Sequence, residues 1–448
     1  MTARTAEHVD AIVVGARCAG SAAGAAFAGA GRRVVVLDRA GFPSDTISTH
    51  LLWPGGVAEL QALGALERVA ALGAPPLPRG LGGAGDLTVC GDYTPVDGIG
   101  HALCVRRPGL DAALVATARA AGAEVRERCH VTDLIHAGGR VAGVRYRDAD
   151  DRECELRAPL VVGADGRRST VASLAGAERP YRARASGRAC FYAYWEDGRP
   201  QWRATAAQWR AGPELGTAFP CDGGLALVLL QPPQSRAAQL RRDPARGYAQ
   251  TVAAIPGLAA RLDGCRQASK VRSATGLVSY FRRSAGPGWA LAGDAGHFKD
   301  PVTAQGIRDA LRYGRRLAQV AAPVLEDPGA LDAALRAWER ERECDCLEIY
   351  QWTNLLARGE PMSPLEVELY RMAQADPQLA RRMLDVFSRT ARPSDVLTAR
   401  RAARVAARAL RRRGNDRMVT ATRAAQDLAT AVRDWRERRP IRAARAAR

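Results

Sequence analysis

Lysine is almost absent from this chain: Lys270 and Lys299 are the two among 66 basic residues. Arginine bias of that kind alongside abundant alanine reads as coding bias rather than as selection for a polyanion. Long apolar runs are missing too. The longest purely aliphatic stretch, Leu225 to Leu230, is far too short to cross a bilayer, which excludes a membrane span. The start, Met1 to Asp10, is polar, so no secretory signal is expected and the reading is a cytoplasmic protein. No C-x-x-C pair exists among ten cysteines, and the six histidines never fall at metal-ligand spacing. A disulfide framework and a metal site are therefore both disfavoured, and most cysteines read as small apolar core residues. The basic stretch from Arg400 to Arg448 holds 16 arginines, four acids and a single aromatic, Trp435. Nucleic-acid binding would want aromatics interleaved there. A solvated basic helix pair, or a docking face for an acidic partner protein, fits better.

What is present is globular. Hydrophobic residues make up 47% and charged residues 25% of 448, which excludes a wholly disordered chain and suggests two or three substructures. Ala11-Ile12-Val13-Val14 is a short apolar run ending at Gly15. An Ala/Gly-rich stretch from Gly20 to Ala30 suits a helix packed closely on a sheet, and Arg33 to Leu37 is a second run ending in Asp38. Two buried parallel strands joined by a right-handed crossover follow. Pro75 to Gly100 reads as loops with short strands, Val105 to Ala121 as helix, and Leu160 to Val162 as another buried strand. From Tyr181 to Ser279 the pattern becomes separated β segments, clearest at Ala189 to Trp195 and Leu225 to Leu230. Trp289 to Leu291 returns to the buried-strand style, and beyond Gln305 nearly everything reads helical. There Ile307, Ala310, Leu311, Gly314, Ala318 and Ala321 form one stripe at 3.6-residue spacing. The first domain is therefore discontinuous, interrupted by a β-rich insert.

Three motifs carry chemistry. The first is Gly15-Ala16-Arg17-Cys18-Ala19-Gly20, with Gly24 and then Asp38 beside Arg39. In a dinucleotide-binding βαβ unit the first glycine permits the turn out of the strand, and the helix N-terminus offers its N–H groups to a pyrophosphate. An acid ending the second strand takes the ribose hydroxyls, and Asp38 stands where that acid belongs. Arg17 replaces the middle glycine. Its side chain crowds the backbone approach, while its guanidinium is itself able to pair with phosphate. Alone, this motif also fits a small-residue turn in another α/β fold.

The second motif is Val161-Val162-Gly163-Ala164-Asp165-Gly166-Arg167-Arg168-Ser169. The third is Leu291-Ala292-Gly293-Asp294-Ala295-Gly296-His297, continuing through Pro301 to Gln305-Gly306-Ile307-Arg308-Asp309. In this order and at these separations the three resemble the FAD-dependent monooxygenase superfamily with the p-hydroxybenzoate hydroxylase fold, which includes flavin-dependent halogenases and geranylgeranyl reductases. The resemblance covers roughly Asp10 to Gln319. It implies an α/β architecture: a discontinuous Rossmann-like FAD-binding domain (8–75, 105–180, 280–325), a β-sheet substrate domain (76–104, 181–279) and a helical C-terminal region (326–448).

The resemblance also implies roles. Gly15, Arg17, Cys18, Ala19, Gly20, Asp38 and Arg39 would surround the adenosine diphosphate half of FAD, and Gly293-Asp294 would hold its ribitol. Pro301 to Gly306 and the helix starting near Gln305, Gly306 and Ile307 would aim N–H donors at the flavin pyrimidine, where charge develops on reduction. Asp165 more often organises its own loop than touches ligand. Arg107, opening a helix, matches a family Arg/Gln that approaches the flavin, with a solvated arginine as the alternative. His50, on Phe42 to His50, would meet substrate or flavin, or serve a structural role. Alternation places Tyr192 and Tyr194 on one face of their strand and Phe191 and Trp195 on the other. One face would stack on substrate, unless both are simply packed. His297 is a candidate beside the Asp294 loop.

Halogenases of this superfamily carry W-x-W-x-I-P and a catalytic lysine in the N-terminal third. Leu215-Gly216-Thr217-Ala218-Phe219-Pro220 keeps only the Phe-Pro ending, and both lysines lie much later. Geranylgeranyl reductases show Y-x-W-x-F-P there, and Leu215 and Thr217 depart from it. Gly82-Gly83-Ala84-Gly85 follows no apolar run, so NAD(P)H would dock transiently rather than in a Rossmann domain of its own. The expected activity is oxygenation of an aromatic or polyketide-like small molecule with NAD(P)H and O₂. Reduction of isoprenoid double bonds is the first competitor. A carrier-protein-tethered substrate, docked at the basic C-terminus, is the second.

Overall fold

In the computed structural model, residues 7–446 are described, and their side chains as far as Arg438. Met1 to Ala6 and the last arginine of the basic stretch, Arg448, lie outside the described residues. The short apolar runs pair into one six-stranded sheet of order 285–286, 289–291, 160–163, 11–14, 34–38, 124–127. All its pairings are parallel except that of the short edge strand 285–286. Strands buried on both faces need helices on both sides or a second layer. Helix α1 (Cys18–Gly29) and helix α2 (Arg107–Ala120) cover one face together with α3 (Gly306–Ala321). The other face packs on the four-stranded sheet formed by 7–8, 130–137, 140–147 and 153–157.

The β-rich insert builds a separate eight-stranded sheet from 79–92, 190–230 and 266–274. One of its faces carries Tyr192, Tyr194 and Phe219 and turns toward Leu51, Trp53 and Ala304. Phe191, Ala193 and Val228 on the opposite face pack under the short helices between Ala237 and Arg261. A three-stranded sheet of 182–185, 278–281 and 297–298 joins the insert to the strand after Asp294. The expected boundary at residue 279 therefore falls inside strand Val278–Phe281, because that strand needs partners from both sides of it.

The segment read as Gly/Pro-rich loops is more ordered than its composition suggests. Arg79–Ala84 and Leu87–Asp92 are a hairpin completing the insert's sheet. Its glycines are there for space: a Cβ at Gly83 would lie 2.4 Å from the indole of Trp209, and one at Gly80 2.7 Å from the Tyr93 hydroxyl. Beyond α3, helices α4 (Pro328–Leu356), α5 (Pro364–Gln374), α6 (Pro377–Ser388), α7 (Ala399–Arg411) and α8 (Arg417–Ala446) form the C-terminal layer. The predicted stripe on α3 is buried throughout, joined by Tyr313 and Leu317. None of the ten cysteines forms a disulfide among the described residues, and six are buried. Among the described residues, no helix is long and apolar enough to cross a membrane.

Candidate active site

The three motifs converge on the first turn of α1, and glycine is what lets them. Gly15 sits at φ +101°, and a Cβ on it would lie 2.5 Å from the Ala164 carbonyl oxygen of the second motif. A Cβ on Gly20 would stand 1.6 Å from the Gly15 carbonyl oxygen. From the third motif, Gly293 (φ +58°) approaches the Ala19 methyl, where a Cβ would come within 2.8 Å. Gly314 of α3 packs on the Ala19 carbonyl in the same way. The N-terminus of α1 has no side-chain cap and no acid in its first turn, so its first N–H groups, Cys18 and Ala19 included, keep a positive end available.

Asp38 does something the sequence did not suggest. One carboxylate oxygen accepts the Ala16 N–H (2.6 Å) and the other the Ala40 N–H (2.8 Å), bracing the glycine turn. Two backbone donors leave the carboxylate further acceptor capacity for a hydroxyl. Arg39 beside it is exposed. Arg17 turns its guanidinium onto Asp111, with a second contact to Ser44 Oγ (2.9 Å), rather than leaving it free above the turn. Arg107 also differs from a solvated helix-start residue. It is buried and forks onto the same Asp111 carboxylate at 2.8 and 3.0 Å. Asp111, fully buried, thus organises two arginines and the Cys18 thiol, whose pKa burial pushes up to about 12. Sequence reading missed Asp111; the signal was its i,i+4 spacing from Arg107 on one helix.

Asp165 organises its own loop as anticipated, accepting Ser169 Oγ (2.6 Å) and the N–H groups of Thr170 and Val171. Asp294 does the reverse. Its backbone carbonyl takes the Tyr280 hydroxyl, while its carboxylate has no hydrogen-bond partner among the described residues. Burial raises its pKa against the pull of Arg167 and Arg107. A shielded acceptor with nothing to accept fits the hydroxyls of a ribitol. Next to it the N-terminus of α3 has no side-chain cap, and Gly306 is exposed with open space where a Cβ would stand. Pro301 begins the short turn that leads there, closed by Ala304 at φ +50°. Gln305 and Ile307 are committed elsewhere. The Gln305 amide nitrogen donates to the Phe387 carbonyl (2.8 Å) while its amide oxygen is buried without a partner, and Ile307 is packed in the core.

His297 has partners of its own beside the Asp294 turn. It is buried and stacks on Phe281, with ring centroids 5.2 Å apart, and Lys299 Nζ lies 2.9 Å from its Nε2. Lys299 also bonds Asp309 of α3. Burial first, then Lys299, lower the His297 pKa to about 3, so the ring is neutral. His297, Asp309 and Cys346 bring three possible metal-ligand atoms within 4.8 Å of one another, but the ammonium of Lys299 already fills the cation position. One of the two lysines noted in the sequence is thus a buried structural cation.

His50, Tyr192 and Tyr194 do come together. His50 sits at φ +62° and is fully buried, and its backbone oxygen accepts the Val105 N–H, which sets it beside Arg107. Its Nδ1 contacts the Ser48 carbonyl (2.7 Å), and Nε2 faces the Tyr194 hydroxyl (2.8 Å). A carbonyl only accepts, so Nδ1 carries the proton and Tyr194 donates to Nε2. Burial, then Arg107, lower the His50 pKa to about 4, while burial raises the Tyr194 hydroxyl. Tyr192 packs edge-on against His50, with centroids at 5.6 Å. Trp53, unnoticed in the sequence, extends the aromatic wall: its indole donates to the Thr303 carbonyl (2.9 Å) and contacts Tyr93, Phe219 and Phe387.

Residues 8–344 match a family model described as an FAD binding domain. The chain belongs to this family of FAD-dependent oxidoreductases. The flavoprotein is 30% identical over 357 residues to a menaquinone reductase of Mycolicibacterium smegmatis, covering 74% of this chain and 79% of the relative. It is 32% identical over 319 residues to the 6-methylpretetramide 4-monooxygenase of Streptomyces rimosus, covering 68% and 73%. A myxobacterial chondrochloren halogenase superposes with a TM-score of 0.70 over 85% of this chain and 96% of its own. At 22% identity that likeness speaks for the fold alone.

Proposed function

We propose that the flavoprotein is a monooxygenase that uses NAD(P)H and O₂ to oxygenate an aromatic or polyketide-like small molecule in the cytoplasm, as part of secondary metabolism. The observation that carries this reading is the buried ring cluster of His50, Tyr192 and Tyr194, in one core cluster with Trp53, alongside the unpartnered carboxylate of Asp294. Bound FAD would supply the electron transfer and the activation of O₂. Asp294 would hold its ribitol, the α1 N-terminus its pyrophosphate, and the α3 N-terminus its pyrimidine edge. The ring cluster orients a flat substrate and excludes water. With its proton directed to His50 Nε2, the Tyr194 hydroxyl offers its oxygen to accept the O–H of a phenolic substrate, while Nδ1 stays on Ser48. The relative acting on 6-methylpretetramide supports the substrate class.

A second reading is reduction of a carbon–carbon double bond in an isoprenoid lipid, favoured by the similarity to a menaquinone reductase over most of its length. Oxygen consumption separates the two. With aromatic polyketides, phenols and quinones as substrates, the first reading expects NAD(P)H oxidation matched mole for mole by O₂ uptake and by product gaining one oxygen. NAD(P)H consumed under anaerobic conditions with an isoprenoid lipid, the product gaining two hydrogens at a side-chain carbon–carbon double bond, would establish the second.

A further inference from the structure

Helix α8 is amphipathic in an unusual sense. Its inner face is held by polar contacts: Gln351 of α4 donates to the Asp434 carbonyl (3.3 Å) and the Glu437 carboxylate (3.0 Å), and Arg182 pairs with Glu437 at 2.6 Å. Arg438 approaches Glu348, and Arg423 reaches Glu360 (2.9 Å) and Asp427 (3.6 Å). All three acids of the helix, Asp427, Asp434 and Glu437, are half-buried on that side. The outer face is apolar. Met418, Ala421, Ala425, Leu428, Val432 and Trp435 follow one another at alternating three- and four-residue steps, and every one is exposed. Met418 is 78% exposed, Leu428 66% and Trp435 50%. The charges that flank this row, Arg417 and Arg436, are both positive and exposed.

The neighbouring helix adds to the same sign. Helix α7 buries little besides Val405 and Ala409, and Arg404, Arg408 and Arg411 line a cleft of about 580 Å³ against Arg371 and Met372 of α5. The buried Glu368 carboxylate fixes Arg371 (3.2 Å) and Arg412 (2.9 Å) in its wall. Arg404, Arg408 and Arg411 have no ion pair among the described residues. An acidic protein would meet an apolar row where it needs cations. A second copy packed along the row would bring arginine against arginine. A surface that is apolar below and anionic above matches both features at once.

We propose that α7 and α8 seat the protein on an anionic lipid bilayer, with the Met418 to Trp435 row at the acyl boundary and the unpaired arginines on headgroup phosphates. Arginine stems would lie along the apolar layer with their guanidinium groups in the headgroups. The proposal holds for either reaction considered above.

The test is co-sedimentation of the full-length holoprotein with vesicles of phosphatidylcholine alone, or with roughly a third phosphatidylglycerol. Binding to the anionic vesicles is expected to be at least about tenfold stronger and to weaken with salt. Leu428→Glu with Val432→Glu should lower it by about tenfold or more while flavin absorbance stays unchanged. If that pair impairs folding, Met418→Glu at the other end of the row gives the same reading. Arg404→Glu with Arg408→Glu should abolish the preference for anionic vesicles. No sedimentation with anionic vesicles overturns the proposal, as does undiminished binding by the row variants. A dimer in light scattering, or a complex with an acidic carrier protein, without vesicle binding would assign the surface to those partners instead.

Discussion

The two large sheets of the molecule are assembled in opposite ways. The parallel sheet takes short, largely apolar strands, Ala11–Val14, Val34–Asp38, Leu160–Gly163 and Trp289–Leu291, and at the C-terminal end of three of them a glycine motif follows immediately. The role proposed for it rests mostly on backbone, on glycines that allow close approach and helix ends without caps, with Asp294 as the side-chain exception. The insert's sheet gathers strands from three distant stretches, and the role proposed for it rests on side chains of one face, Tyr192 and Tyr194, met by His50 from elsewhere. The first sheet therefore has almost no freedom in sequence at its working end, whereas the second has freedom on one face only.

That contrast can be broken by experiment. The largest effect is expected on the parallel side. Gly20→Val puts a branched side chain where even a Cβ would be 1.6 Å from the Gly15 oxygen, and should prevent recovery of folded flavoprotein, read as soluble yield and flavin absorbance. Asp294→Ala should leave a folded protein that has lost its yellow colour, with unfolding by circular dichroism little changed; a variant that still binds flavin normally would contradict the ribitol assignment. Arg107→Met removes one of the two arginines on buried Asp111. It should cost about 3 kcal/mol in denaturant unfolding, because Arg17 alone would then compensate that charge.

Two smaller effects sharpen the insert's side of the comparison. His50 is neutral when folded, its pKa lowered from 6.5 to about 4, so the unfolded chain binds more protons between those values. The stability this neutral ring contributes is complete above pH 6.5 and is lost as pH falls toward 4, at about 1.4 kcal/mol per unit. His297 acts in the same direction down to about 3. His50→Gln should flatten the pH dependence of the unfolding midpoint in that window, and an unchanged slope would show that the ring is not held neutral. Tyr194→Phe should be the mildest in stability, about 1 kcal/mol, keep its flavin, and lower kcat for phenolic substrates by up to about a hundredfold. Loss of flavin in that variant would blur the division between the two sheets.

The same division explains what the sequence revealed. Gly15, Gly20 and Gly293 stood out in the sequence because each marks a turn or a helix start, although what each makes room for, such as Ala164 for Gly15 and Ala19 for Gly293, lies far along the chain or a turn away. The strand alternation at 190–196 was legible as well, but not which face points inward, since that is decided by Trp53 and Ala304, far away in the chain. Asp111 escaped notice because its partner Arg17 is 94 residues distant. Short strands were read within 75–100, but not their pairing as the hairpin 79–92, because its glycines make room for distant rings such as the Trp209 indole at Gly83. His297 looked like a site residue by position, and only the path of Lys299 to Asp309 shows it to be engaged elsewhere.

The two-residue period of strand Cys190–Glu196 has a consequence for how such an enzyme diversifies. Phe191 and Ala193 anchor the scaffold's back layer, while Tyr192 and Tyr194 look the other way. Exchanging every second residue would redraw the chamber for a new molecule and leave the foundation standing, so new substrate preferences would be reached without passing through an unfolded ancestor.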